Sequence, residues 1–148
     1  AIKSTKMEFE NIPIKIKIDS FFPDKAIVDL KVVKDFELIW NSETQRKENF
    51  IDYWNYTWQA ALYQKGVEIN TGKQLPFFIA AVTKEKEPNI ALLNIPQEVL
   101  DEKLVMIEEA LPIVYAIKNK QIIATRCEHC DYCKATKVLT SIIDYRDL

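Results

Sequence analysis

Ala26-Ile27-Val28-Asp29-Leu30-Lys31-Val32-Val33 decides how this chain is read. Ile27, Val28, Leu30, Val32 and Val33 give it the bulk of a β-strand. Side chains alternate along a strand, so Asp29 and Lys31 share one face. Charges inside a run this apolar lie either on a solvent face or in a cleft. Just before it, Ile14-Lys15-Ile16-Lys17-Ile18 alternates strictly and predicts a strand with one buried face, running on through Asp19 toward Phe21 and Phe22. Pro23-Asp24-Lys25 is a turn signal between the two. The pair predicts an antiparallel hairpin in which Asp19 lies beside Asp29 and Lys31.

Further along, residues 35–46 are polar and irregular and read as a loop. From about Lys47 to Lys65 the pattern becomes helical. Phe50, Trp54, Ala61 and Leu62 form a broad apolar face, and Gly66 is placed to end the helix. Leu75 to Thr83 is a strand apolar on both faces, hence central in a sheet. A charged turn over 84–88 leads to another strand, Asn89 to Ile95. Pro96 opens a helix from Gln97 to about Lys118, with a kink expected at Pro112. A short terminal strand is expected near Ser141 to Tyr145. The order predicts an α/β domain around a central sheet.

The 148 residues carry 20 Lys and Arg against 22 Asp and Glu, a net charge of -2, with 48% hydrophobic residues. That balance excludes a disordered acidic tail and a collagen-like chain. Gly66 and Gly72 are the only two glycines, which excludes a glycine-rich phosphate loop. The charge is uneven. Residues 1–34 hold seven Lys against five acids, 118–137 hold five basic residues against two acids, and 97–109 hold five acids against one Lys. The basic stretches suit either phosphate tracking or an ordinary solvated surface. The longest apolar run, Phe77 to Val82, falls well short of a membrane span. No membrane association is expected. With no signal-peptide pattern and only three clustered cysteines, the expected compartment is the cytoplasm.

Two carboxylates and an amine converging on one hairpin are the groups metal-assisted phosphodiester hydrolysis needs. Mg2+ takes a few hard oxygen ligands and fills the rest with water. A lysine beside it orients or helps deprotonate an attacking water. The same Asp-x-Lys on an exposed strand face is also the commonplace solvated ion pair. On the long helix, Gln59 and Tyr63 are four apart and share a face, with Asp52 and Tyr56 close to it. Amide and phenol both donate and accept, which suits orienting a phosphate or a water. A wet helix face, or a core tyrosine with a satisfied hydroxyl, explains the pair equally. Cys127, Cys130 and Cys133 offer three soft ligands, with His129 beside them, fit for zinc or an iron–sulfur cluster, or else three reduced thiols. Trp40, Trp54 and Trp58, with Phe21 and Phe22, invite a base-stacking reading, but most read as core, since large aromatics at helical spacing pack. Trp40, in the polar loop, is kept as a DNA contact.

Asp19, then Asp29-Leu30-Lys31, then Gln59-Ala60-Ala61-Leu62-Tyr63 resembles the PD-(D/E)xK nuclease superfamily, in its RecE/RecB-type branch. The stretch Ile27 to Lys31 followed by Trp58 to Tyr63 looks like phage exodeoxyribonuclease VIII-like proteins. The tail Cys127-Glu128-His129-Cys130-Asp131-Tyr132-Cys133-Lys134 is similar to tails in such proteins, and the likeness runs over about 12–137.

The resemblance implies a restriction-endonuclease-like core, a central mixed sheet flanked by helices, over 1–125, with a Cys-rich tail over 126–148. It implies Asp19, Asp29 and the Leu30 carbonyl as ligands of Mg2+ or Mn2+, and Lys31 at the nucleophilic water. Gln59 and Tyr63 would shape the site and meet the DNA end. It implies a phage or prophage exonuclease acting on DNA in recombination, in the bacterial host cell. A single-strand annealing recombinase and a homo-oligomer are the partners it suggests. The rival is a non-catalytic DNA-binding or assembly module on the same fold. Members carry an acidic residue or His on a helix before the first motif strand. Here about a dozen residues precede it, with Glu8 and Glu10 the candidates, so that helix is expected to be missing. Related nucleases also hold an iron–sulfur cluster on four cysteines, one of them upstream of the core.

Overall fold

The computed structural model describes residues 3–147. Strands β1 (Lys3–Phe9) and β2 (Ile12–Ile18) form an antiparallel hairpin. The chain bends at Asp19 and enters β3 (Ser20–Phe22), which turns through Pro23-Asp24-Lys25 into β4 (Ala26–Val33). The alternating stretch thus ends before Asp19 instead of continuing through it.

A four-stranded mixed sheet, ordered β3-β4-β7-β8, forms the centre. β7 (Phe77–Thr83) runs parallel to β4, and β8 (Ile90–Ile95) runs antiparallel to β7. A parallel pair needs a crossover, which α2 (Tyr56–Thr71) provides. Helix α3 (Gln97–Lys118) follows β8 and holds Pro112 inside it. Ile27, Phe77, Ile79, Ala60, Ala61, Leu100 and Ile107 belong to one buried cluster. Gln64 and Gln97 exchange amide hydrogen bonds at 2.9 Å, and Gln64 also donates to the Leu75 carbonyl, fixing α2 against the start of α3.

The expected loop over 35–46 contains a small hairpin, β5 (Ile39–Asn41) with β6 (Arg46–Glu48). Polar side chains hold it, so no apolar alternation announced it. Glu48 accepts from Asn41, Thr44 and Arg46, and Asn41 accepts from the backbone N–H of Glu43. Those bonds hold the Glu48 carboxyl down at about 2, the Asn41 bond foremost.

The single expected helix is two. Short α1 (Phe50–Tyr53), capped by the Asn49 side chain, ends at Trp54, and Asn55 takes a left-handed turn at φ 54° before α2 begins. Gly66 does not end the helix. It sits in mid-α2 because a Cβ there would overlap Ile16 Cδ1 and come within 3.1 Å of Met7 Sδ. The β1–β2 hairpin packs on α2 through that gap. The true end is Gly72, at φ 71°, whose N–H bonds the Glu68 carbonyl.

The chain divides into two compact units after Tyr115. The second contains a short helix, α4 (Asp131–Ala135), and a 3-10 turn over Tyr145–Asp147. The terminal strand expected near Ser141 to Tyr145 is absent among the described residues, and Ile142 and Ile143 are exposed there. No pairing partner among the described residues holds that segment extended. No helix among the described residues is long and apolar enough to cross a membrane.

Candidate active site

β4 is turned inside out relative to its charges. Ile27, Asp29 and Val33 are buried with Lys31 half-buried beside them, on the face that meets α2. Leu30 and Val32 point to the other face and are exposed, Leu30 at 57%. Asp29 itself is only 3% exposed.

Its carboxylate is fully engaged. Lys31 Nζ stands 2.7 Å from Oδ2, and Gln59 Nε2, from α2, donates to Oδ1 at 3.3 Å. Lys31 Nζ also donates to Gln59 Oε1 at 2.8 Å, so one amide bridges the anion and the cation. The ring of Tyr56 lies under the ammonium, 4.2 Å from Nζ to the ring centre. Burial raises the Asp29 pKa, the nearby Lys31 opposes that, and the charge of Asp19 adds to the rise.

Asp19 stands where β3 has not yet begun to pair. The register Ser20↔Val28 sets it opposite Asp29, and its Oδ2 accepts the Leu30 N–H at 3.1 Å. Two carboxylates and one amine therefore meet at the hairpin, as the spacing predicted.

Two expected residues behave differently. Tyr63, one turn beyond Gln59, packs against the core, and its hydroxyl makes no hydrogen bond among the described residues. Tyr56, three residues before Gln59 on the same helix face, is the aromatic that meets Lys31. Spacing placed it near that face, since i and i+3 are neighbours on a helix, but did not single it out as the partner of Lys31. Trp40 is exposed on β5, across from Lys47. Trp54, read as core from its helical spacing, is 58% exposed because the helix breaks at that residue. Glu8 lies on β1 and Glu10 in the turn after it.

The donor chemistry fits a hard divalent cation. Asp19 and Asp29 repel one another, and a cation between them would reverse that cost. The second unit offers a different donor set. The sulfurs of Cys127, Cys130 and Cys133 lie within 4.8 Å of one another, with Cys127 and Cys133 at 3.8 Å. A tetrahedral centre with metal–sulfur bonds of roughly 2.3 Å needs sulfurs about 3.8 Å apart. The Cys127 sulfur accepts from the Cys130 N–H and the Cys130 sulfur from the Cys133 N–H. Backbone donation, from the His129 N–H first, lowers the Cys127 pKa to about 6. His129 does not join the group. Its Nδ1 bonds the Cys127 carbonyl at 2.7 Å, and three ligands are what the described residues supply.

A mixed sheet with an Asp, an Asp-x-Lys and a helix glutamine meeting at one hairpin is the framework of the PD-(D/E)xK class. Residues 3–136 match the family described as PDDEXK-like domain of unknown function, DUF3799, and the chain belongs to that family. It is similar to the crystal structure of a "putative exonuclease" from Eubacterium rectale, with 39% identity and a TM-score of 0.83. The likeness covers 98% of this chain and 55% of that one, so the chain spans about half the length of that relative. No curated protein matches it.

Proposed function

We propose that this chain is the nuclease part of a divalent-metal-dependent deoxyribonuclease, an exonuclease that cuts DNA from an end. The observation that carries the reading is the Asp29–Lys31–Gln59 triangle with Asp19 tethered beside it through the Leu30 N–H.

Asp19 and Asp29 would hold Mg2+ or Mn2+. The Leu30 carbonyl would be a third ligand, a reading supported by strand geometry. The N–H and carbonyl of one strand residue point to the same edge. The Leu30 N–H points at Asp19, so its carbonyl also faces the edge that β3 leaves open beyond Ser20. A bound cation would supply Lewis acidity at the phosphate and a more acidic water. Lys31 would orient that water, and Gln59 holds Lys31 toward Asp29. Tyr56 stabilises the ammonium from below, while Tyr63 supports the helix that presents Gln59.

The convergence of Asp19 with Asp29 favours hydrolysis over a non-catalytic DNA-binding or assembly module on this fold. The biological setting we propose is recombination in a phage or prophage, in the cytoplasm of a bacterial host. A single-strand annealing recombinase would be the partner, and self-association is part of the same reading. For the cysteine cluster we propose zinc or an iron–sulfur centre, with the fourth ligand from outside the trio.

The test is digestion of linear duplex DNA with Mg2+, comparing the wild type with Asp29→Ala and Lys31→Ala. Loss of digestion in both variants is expected. Equal digestion by all three proteins would overturn the assignment.

A further inference from the structure

Beside the Asp29–Lys31 centre a cavity of about 540 Å3 opens between the end of β4, the β5 approach and the α1–α2 corner. That is the size of a small-molecule site. Tyr56 belongs to both places, carrying Lys31 Nζ on its ring and lining the cavity. Tyr56 is thus the residue that the cavity shares with the lysine.

Its walls are unusually aromatic. Tyr56 packs edge-on to Phe50 at 6.4 Å, and Phe50 stacks on Phe36 at 5.9 Å. Of these, Phe50 and Tyr56 line the cavity, Phe50 buried and Tyr56 half-buried. Trp54 also lines the cavity, yet more than half of its surface is exposed. The break between α1 and α2 holds it there, with its N–H on the Phe50 carbonyl and Tyr53 against it edge-on at 4.9 Å. Leu38 adds an exposed apolar side chain to the same cavity.

The charge at the rim decides what part of a substrate fits. Lys34 is paired to Asp35 at 3.1 Å, which leaves Glu37 as a net negative charge. A phosphate is disfavoured there. A flat, neutral ring with amino groups at its edge is favoured, because it stacks on aromatic side chains and gives carboxylates donors to accept. A base within a duplex has both faces covered, so only an unpaired base can enter.

We propose that this cavity binds an unpaired nucleobase next to the phosphate that a divalent cation at Asp19 and Asp29 would engage. The assignment rests on the nuclease reading above and deepens it. The substrate strand is single-stranded or frayed at the point of cutting, and Trp54 is the stacking residue that selects it.

The test compares binding of an oligodeoxycytidylate, whose bases carry an exocyclic amino group, with an abasic strand of the same length, with Ca2+ present, by fluorescence anisotropy. Wild type, Trp54→Ala and Trp54→Phe are compared, with melting curves as the folding control. Wild type should prefer the base-bearing strand. Trp54→Ala should lose roughly tenfold of affinity for it and nothing for the abasic strand, and Trp54→Phe should keep most of the preference. Equal wild-type affinity for the two strands, or an equal loss on both in Trp54→Ala, would overturn the inference. The two readings fail separately. DNA digestion indifferent to Asp29→Ala and Lys31→Ala sinks the nuclease assignment, whereas digestion that depends on them with no base preference sinks only the stacking site.

Discussion

Lys31→Met removes the ammonium while keeping most of the side chain's bulk, and it isolates the electrostatics of the site. Asp29, 3% exposed, would keep only the Gln59 amide at 3.3 Å as a donor. Breaking a buried ion pair costs about 3–5 kcal/mol. The Lys31 side chain is 16% exposed, so the lower end applies, about 3 kcal/mol. For a chain of this size that corresponds to a melting temperature lower by roughly 10 °C near neutral pH.

The sign of the pH dependence follows from the direction of the Asp29 shift. Its pKa already lies above the ordinary 3.8, through burial first, and Lys31 is what holds it down. Without Lys31 it rises further. A carboxyl raised on folding disfavours the folded state above its folded pKa, and that penalty disappears as pH falls toward the unfolded value. The gap between variant and wild type should therefore be widest in mild alkali and close on acidification. Asp29→Asn combined with Lys31→Met should recover most of the loss, since no buried charge remains. Calorimetry of the three proteins at about pH 8 and pH 5 measures this. A variant that melts with the wild type at pH 8, or a gap that widens in acid, would refute the buried pair.

Two further outcomes are expected. Gly66→Ala gains about 1 kcal/mol of helix propensity but meets Ile16 and Met7, where overpacking costs about 1–3 kcal/mol. A net loss of about 1 kcal/mol in denaturant titration is expected, and Ile16→Val should relieve it by removing the overlapping Cδ1. In reduced, metal-free protein, iodoacetamide should label Cys127 first, with a rate that levels off above pH 7, because its thiol is lowered to about 6. Cys130 is raised and Cys133 is buried. Labelling of Cys127 that keeps climbing through pH 9 would count against the backbone donors.

Much of the site was legible because strand periodicity is a strong constraint. β4 begins and ends where the apolar run does, and the turn at Pro23 places Asp19 opposite Asp29. Gln59 followed from the motif spacing. What escaped was set by contacts distant in sequence or by side-chain hydrogen bonds. Gly66 looks like a helix stop until Ile16, 50 residues earlier, is seen to need its space. The β5–β6 hairpin rests on Glu48 and its three donors, which no apolar pattern reports. The exposure of Trp54 depends on a left-handed turn at Asn55, and a helical reading that runs through it counts Trp54 as core. Asp29 and Lys31 interrupt an apolar run because they face inward, toward α2, and it is the leucine and valine that face out.

Leu30 sits at the hinge of that reversal. Its side chain lies on the exposed face of the sheet, with Ile90 and Leu92, while its N–H holds the Asp19 carboxylate. One residue thus presents its side chain to the exposed face and its backbone to the sheet edge beside Asp19. A shift of the backbone at Leu30 would therefore move the hydrogen-bond donor that holds the Asp19 carboxylate. Substitutions at Leu30 would act as a fine adjustment screw on the carboxylate spacing from behind.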